Sequence, residues 1–335
     1  MHRRLTQRDI ARMAGVSQTT VSLVLNNRAD SGVRIAAATR ERVLRLMRDT
    51  GYVAATAARR PAGRHQRILG VFTYEAAFPS SSADFYHPFL IGIEERAEAV
   101  GCDLLLFTDG RSHAHGRRVL GEDGRMRLAD GCILLGRSLD HADLARMLAD
   151  RVPFISVGRR ADAGAPVPYV GADYPSAVRE LVGRATALGH RRLAYAGTGA
   201  GPESYADRYL GFRLGIADGV RLGVRGVRVD RAELDALLET RVTAVFVEEP
   251  ADAVTLIRTA GERGVRVPED LSVLALGTLT HPVDGDLDLT GFAVPRTRMG
   301  RRSVDLLTAA IAGAGPPQEL LDCAPVAGST LGPAA

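Results

Sequence analysis

Residues 6–27 read TQRDIARMAGVSQTTVSLVLNN, and this run decides the architecture of the amino-terminal end. Thr6-Gln7-Arg8-Asp9 has the form of a capping box, with Thr6 as the helix N-cap and the Asp9 side chain reaching back. Ile10, Ala11 and Ala14 follow at helical spacing and make a short apolar face. Gly15 sits where that helix must end, because glycine tolerates positive φ. Val16 can fill the space between two helices, and Ser17 is a strong N-cap for a second helix over residues 18–25. In that helix Val21, Val24 and Leu25 point inward, which leaves Gln18, Thr19, Ser22 and Asn26 on the other side. Two short helices joined at a glycine turn, the second presenting small polar side chains, are the parts of a helix-turn-helix. The N-terminal residues of such a second helix enter the major groove and read base edges.

The flanking sequence extends this reading. A third helix is predicted over residues 37–50, with Val43, Leu46 and Met47 as its buried stripe and Gly51 as its stop. Residues 54–60, AATAARR, favour helix but are too short to hold it alone, and Pro61-Ala62-Gly63 ends them. A segment that is helical only in context suits a linker that orders on DNA. Charge agrees. Residues 1–67 hold fourteen Arg against Asp9, Asp30, Glu41 and Asp49, a formal +10, whereas the rest of the chain holds 29 basic and 35 acidic residues. The overall +4 therefore hides a basic head on a mildly acidic body, which points to a polyanionic partner for the head alone. Every basic residue is Arg, which fits GC-rich coding better than function.

Beyond residue 67 short apolar runs alternate with helical patterns. Strands are predicted at 68–73, 103–107, 131–135, 154–157, 193–196, 244–247 and 271–275, with helices between them, among these 89–100 and 174–188. This rhythm implies parallel sheets covered on both faces, in doubly wound lobes whose ligands bind beyond the carboxyl ends of the strands. Chain crossings between two lobes are expected near 166–170 and 290–295.

Three stretches of the head, DIARMAGVSQTTVSLVLNN, TRERVLRLMRDTGY and the run up to RILGVF, resemble the LacI/GalR family of transcription regulators. So do FYHPFLIGIEERAEAVGCDLLLF, LGHRRLAYAG, SYADRYLGF and VFVEEPADAVTLIRTAGERGVRVPEDLSVLAL in the body. The resemblance implies a small all-α helix-turn-helix head at 1–53 and a hinge helix and linker at 54–67. It implies an α/β body at 68–335 like periplasmic binding proteins, with two doubly wound parallel-sheet lobes. Lobe one is expected at about 68–166 and 295–320, lobe two at about 167–291 and 321–335. The implied function is a sequence-specific regulator, a repressor, that binds a near-palindromic operator as a homodimer. A small effector, carbohydrate-like, would sit between the lobes. An activator or a ligand-independent regulator with the same head is the alternative.

By position, Gln18 and Thr19 are the candidates for base readout, and Thr20, Ser22 and Asn26 for positioning on the backbone. Thr6, Arg34, Ala58, Arg59 and Pro61 complete the DNA set. Leu23 stands where the family usually has Arg, the 28–34 loop is longer, and Pro61 replaces the usual Leu wedge of the hinge. Pro61 is read either as a stiff wedge between base steps or as a plain helix stop. In the body, Arg208 matches the Arg that holds effector hydroxyls. Tyr74, Phe85 and Tyr86 are candidates for stacking on a sugar ring, or are core; Glu248, Glu249 and Thr278 are candidate polar contacts. Three sugar-binding positions depart: the acid after the fourth strand falls on Gly158, a GFDD-like stretch reads Ala275-Leu276-Gly277-Thr278, and an Asn-Asp pair reads Glu249-Pro250.

Other classes find less support. A transport-system solute binder fits the body, but no apolar signal region opens the chain and the head is basic. An enzyme lacks an assembled catalytic set, with no G-x-S-x-G elbow. Gly197-Thr198-Gly199-Ala200-Gly201 is not a dinucleotide fingerprint and reads as a loop. His113 and His115 have no third ligand nearby, so neither metal nor cofactor is expected. Cys102, Cys132 and Cys323 lack CxxC spacing and read as reduced thiols. With no apolar run long enough to span a bilayer, a cytoplasmic protein without membrane partners is expected. The C-terminus carries no heptad Leu repeat, which favours a dimer over a zipper-linked tetramer.

Overall fold

A left-handed glycine sets the geometry of the head. Gly15 adopts φ 62°, and the Val16 amide turns back to donate to the Ala11 carbonyl at 3.0 Å. This closes α1 (Gln7–Ala14) and starts α2 (Gln18–Leu25); α3 (Ala37–Asp49) packs across both. Ile10, Ala14, Val21, Val24, Val43 and Met47 form their shared core, with Val16, Ile35 and Leu46 at its margin. The computed structural model describes residues 7–25, 35–49, 66–73, 83–107, 128–216, 221–225, 231–280 and 287–334. The chain divides into two compact units, residues 1–64 and 65–335.

In the larger unit β1 (Ile68–Thr73), α4 (Ala83–Ala99), β2 (Asp103–Phe107), β3 (Gly131–Leu135), α5 (His141–Ala149), β4 (Phe154–Val157) and β5 (Tyr169–Ala172) build one lobe. The chain then crosses into α6 (Tyr174–Ala187), β6 (Arg192–Ala196), α7 (Glu203–Gly215), β7 (Arg221–Arg225), α8 (Arg231–Glu239), β8 (Ala244–Val247), α9 (Pro250–Glu262), β9 (Ser272–Ala275) and β10 (Thr290–Ala293). It returns through α10 (Arg296–Ile311) and β11 (Gln318–Leu321) and crosses last to β12 (Ala324–Val326).

Among the described residues each lobe holds one six-stranded sheet, ordered β11-β5-β4-β3-β1-β2 and β12-β10-β9-β8-β6-β7. The first is parallel throughout, and the second is parallel except for β12, which runs antiparallel to β10. The central strands are fully buried runs such as Gly131–Leu135 and Ala244–Val247, as expected for sheets covered on both faces. The seven expected strands are all present, to within a residue. β5, β7, β10, β11 and β12 were not anticipated. Because β5 pairs with β4, the first crossing follows Ala172, later than the expected 166–170. The β11–β5 pairing likewise keeps Leu321 in the first lobe. The return helix α10 lies close on α4: a Cβ on Gly92 would sit 2.0 Å from the Thr297 carbonyl, and one on Gly300 2.2 Å from the Phe89 carbonyl. Side chains at these two glycines would force the helices apart, and with them the walls of the cleft described next.

Candidate functional site

The head presents α2 as a surface. The Thr20 amide donates to Ser17 Oγ at 3.1 Å, so Ser17 caps the helix, and the two hydroxyls pair at 2.9 Å. Gln18 and Thr19, in the first turn, are exposed, whereas Thr20 and Ser22 are half-buried. Arg8, Arg12, Arg40, Arg42 and Arg45 are exposed on the flanking helices. Thr6, Asn26, Arg34, Ala58, Arg59 and Pro61 lie outside the described residues, as does the 28–34 loop.

The body carries a cleft between its lobes, open to solvent and lined by Phe85, Arg137, Tyr174, Tyr205, Arg208, Glu249, Thr278 and Arg296 together with smaller residues. Five of these eight follow closely on a strand's carboxyl end: Arg137 after β3, Tyr174 after β5, Glu249 after β8, Thr278 after β9 and Arg296 after β10. Arg208, buried on α7, donates from Nε to the Leu276 carbonyl at 2.7 Å and from Nη1 to the Ser204 carbonyl at 3.1 Å. Its guanidinium lies 4.1 Å from the Tyr174 ring centroid. Arg137 and Arg296 share the Phe85 ring, at 4.9 and 5.4 Å. The Tyr205 hydroxyl donates to Glu249 Oε1 at 2.5 Å, and Arg137 reaches the same oxygen at 3.4 Å. Burial, then the Glu249 carboxylate, push the Tyr205 phenol up to about 12. Burial pulls Arg296 below its ordinary value, and the Arg208 and Arg137 cations add to this.

Beside this cleft a clasp joins the lobes. Arg159, after β4, forks onto Asp207 of α7 with two hydrogen bonds of 2.7 Å. Its neighbour Arg160 reaches Glu203 at 3.1 Å and the Gly136 carbonyl at 2.6 Å. The hydrogen bond to Asp207 holds the Arg159 guanidinium above its usual value. Arg137 and Glu249 make a third ion pair across the lobes.

Two expected effector residues are placed elsewhere. Glu248 is 3% exposed and is absent from the cleft lining. It accepts from the Tyr195 hydroxyl at 2.6 Å, the Thr198 amide at 2.9 Å and the Gly199 amide at 3.1 Å. Its carboxylate thus pins the glycine loop after β6, and no oxygen is left for a ligand. Tyr86 is 1% exposed and belongs to the core, edge-on to Phe85 at 5.0 Å. Phe85, Arg208, Glu249 and Thr278 do come together at the cleft, while Tyr74 lies outside the described residues, as do His113 and His115. Among the described residues no three His, Cys, Asp or Glu side chains are grouped to hold a metal, and no helix is long and apolar enough to cross a membrane.

Comparison with known proteins decides the family. Residues 6–54 match the bacterial regulatory proteins of the lacI family, and residues 182–331 match a periplasmic binding protein-like domain. The HTH-type transcriptional regulator CelR of Thermobifida fusca is 30% identical over 330 residues, 93% of each chain. The chain belongs to the lacI family. It is a DNA-binding transcription regulator. The solved CelR–cellobiose complex is similar with a TM-score of 0.62 at 25% identity, covering 98% of this chain and all of the other. The lac repressor dimer bound to operator and the anti-inducer ONPF shares the fold, with a TM-score of 0.63 at 22% identity, covering 98% and 99%.

Within this lacI-family regulator, Arg137, Tyr174, Tyr205 and Arg296 are cleft residues that reading the sequence missed. The signal was available: each lies in the first positions after a strand or in the first turn of a helix, where ligands of doubly wound sheets bind. The departures also acquire a geometry. A Cβ on Gly277 would lie 3.7 Å from Arg208 Nη2, and one on Gly158 3.4 Å from the Arg160 guanidinium. At both positions where an acid was expected, the missing side chain would have faced a cation.

Proposed function

We propose that this protein is a repressor that binds a near-palindromic operator as a homodimer and releases or grips it according to a small molecule held between the lobes. One observation carries the reading: a capped recognition helix with exposed Gln18 and Thr19 shares a chain with a two-lobed body whose cleft gathers polar and aromatic side chains. Gln18 and Thr19 read base edges, and Thr20 and Ser22 fix the helix on the backbone. Thr6, Asn26, Arg34, Ala58, Arg59 and Pro61 are proposed to complete this surface, with residues 54–67 as the hinge. Two heads related by a two-fold axis read two half-sites, so the operator mirrors the dimer. The relative CelR is named in complex with cellobiose, which supports a carbohydrate-like effector for the cleft. Arg208, Phe85, Glu249 and Thr278 are the proposed contacts. The protein acts in the cytoplasm, as a regulator and not an enzyme, without a resident cofactor.

An effector changes DNA affinity only through its differential affinity for two arrangements of the body. The Arg159–Asp207, Arg160–Glu203 and Arg137–Glu249 pairs cross the lobes and are the contacts that opening would break. The test is binding to a duplex selected by this protein from a random pool. The expected result is two chains per duplex and affinity that falls steeply with salt, because arginines displace phosphate counterions. Arg208→Ala should abolish the effector response and leave operator binding intact. One chain per duplex, or loss of both activities in a folded Arg208→Ala protein, contradicts the proposal.

A further inference from the structure

We propose that the cleft takes an anion, a small hydroxylated molecule whose carboxylate or phosphate docks among Arg137, Arg208 and Arg296; this rests on reading the cleft as the effector site. Arg208 and Arg296 carry the argument. Both line the cleft, and the carboxylate among the described lining residues, Glu249, lies with Arg137. That carboxylate is already engaged by the Tyr205 hydroxyl and by Arg137. The hydrogen bonds of Arg208 go to two main-chain carbonyls, which are neutral, and leave Nη2 beside the side-chain-free Gly277. Arg296 meets the face of Phe85, and among the described residues no carboxylate lies within ion-pair distance of it. Glu248, next to Glu249 in the chain, is turned into the glycine loop, where the Tyr195 hydroxyl and the Thr198 and Gly199 amides take its oxygens.

Gathering cations in a half-buried cleft is unfavourable, and the cost is visible in Arg296, which burial and the other two arginines hold below its ordinary value. An anion offsets the repulsion among these cations. Guanidinium forks match carboxylate and phosphate oxygens. The backbone adds to the field. α7, α9 and α10 all begin at this cleft, and none has a side-chain hydrogen bond capping its N-terminus, so their positive ends face the same space. Tyr174, Tyr205 and Phe85 supply flat walls, and Ser204 and Thr278 supply hydroxyls for the remainder of the ligand. Neutral sugars use such walls and hydroxyls but bring no negative charge to Arg208 and Arg296.

The experiment uses the full chain and two kinds of probe. Thermal unfolding is followed while inorganic phosphate replaces chloride at constant ionic strength, in wild type, Arg296→Gln and Arg296→Lys. Phosphate raises stability generally by exclusion from the surface, so the readout is the saturable part that differs between proteins. Wild type and Arg296→Lys should show it, and Arg296→Gln should lose it, with apparent affinity down on the order of tenfold or more. Glucose, glucuronate and glucose 6-phosphate are then titrated calorimetrically. Tighter binding of glucuronate or of glucose 6-phosphate than of glucose supports the proposal and tells a carboxylate ligand from a phosphate one. Identical phosphate curves in wild type and Arg296→Gln overturn it, as does glucose binding as tightly as its charged partners. Operator binding measured on the same samples separates the two claims. A flat phosphate response with intact operator binding removes the anion site alone, whereas loss of sequence-specific DNA binding removes the regulatory reading and leaves the phosphate result standing.

Discussion

Glu248 and Glu249 are adjacent in sequence and opposite in role, and replacing each by Ala should separate them sharply. Glu248→Ala removes the acceptor for the Tyr195 hydroxyl, which is fully buried, and for the Thr198 and Gly199 amides, which are part-buried. Leaving a buried donor without its partner costs about 1–3 kcal/mol. The Thr198 hydroxyl loses less, because it also donates to the Ala200 carbonyl at 2.9 Å. Counting the tyrosine near the top of that range and the two amides near the bottom gives a loss of about 3–5 kcal/mol. For a unit of this size that is a fall in Tm on the order of 6–15 °C. Glu249→Ala removes a carboxylate that is 36% exposed, meets Arg137 at 3.4 Å and accepts from the part-buried Tyr205 hydroxyl at 2.5 Å. The exposed pair contributes about 0–1 kcal/mol and the one hydrogen bond about 1 kcal/mol, so the loss should stay under about 2 kcal/mol, well below that of Glu248→Ala. Thermal and urea unfolding of the two variants, followed by circular dichroism, decide the matter. Equal losses from the two substitutions, or a Glu248→Ala loss below about 1 kcal/mol, refute the assignment of Glu248 to the glycine loop.

Further outcomes follow from the same structure. Asp207→Asn breaks the Arg159 fork, whose carboxylate side chain is 8% exposed, and should lower the urea stability of the body by about 1–3 kcal/mol, the buried-pair cost discounted for a half-exposed partner. Asp305→Asn, in the more exposed pair with Arg96, should cost under about 1 kcal/mol; equal effects would deny the clasp its importance. Gln18→Ala should weaken discrimination at one operator position by about 1–3 kcal/mol, and unchanged selectivity in competition binding removes Gln18 from the readout set. His190 is buried between the Thr243 hydroxyl and the Gly332 carbonyl, and burial lowers its pKa from 6.5. The unfolded chain therefore takes up the proton first, so the contribution of His190 is complete above pH 6.5 and declines as pH falls below it. Unfolding in urea across that range should show less decline in His190→Gln than in wild type, and parallel curves would contradict this.

The head was legible because its signals are local. Gly15, Ser17 and the apolar spacing of Ile10, Ala14, Val21 and Val24 each specify one turn or one face, and α2 begins and ends at the expected residues. The buried strands were legible for a similar reason, as unbroken apolar runs. What escaped was nonlocal. β5 and β11 are four-residue strands recognisable only through pairing, β5 with β4 and β11 with β5, so the first lobe crossing was placed too early. Arg137 and Arg296 lie 159 positions apart and meet over one ring, and no periodicity announces that. Glu248 and Glu249 were indistinguishable in sequence, because burial alone tells a loop anchor from a cleft residue.

A pair of heads that reads a symmetric DNA site should reveal it when bound duplexes are selected from a random pool. The purified protein is used at moderate salt, with unbound DNA removed over successive rounds. The expected result is enrichment of one near-palindrome of about 14–20 base pairs, with half-sites separated as two recognition helices require. Retention of sequence-unrelated duplexes, lost uniformly as salt rises, would contradict it and reduce the basic head to an electrostatic anchor.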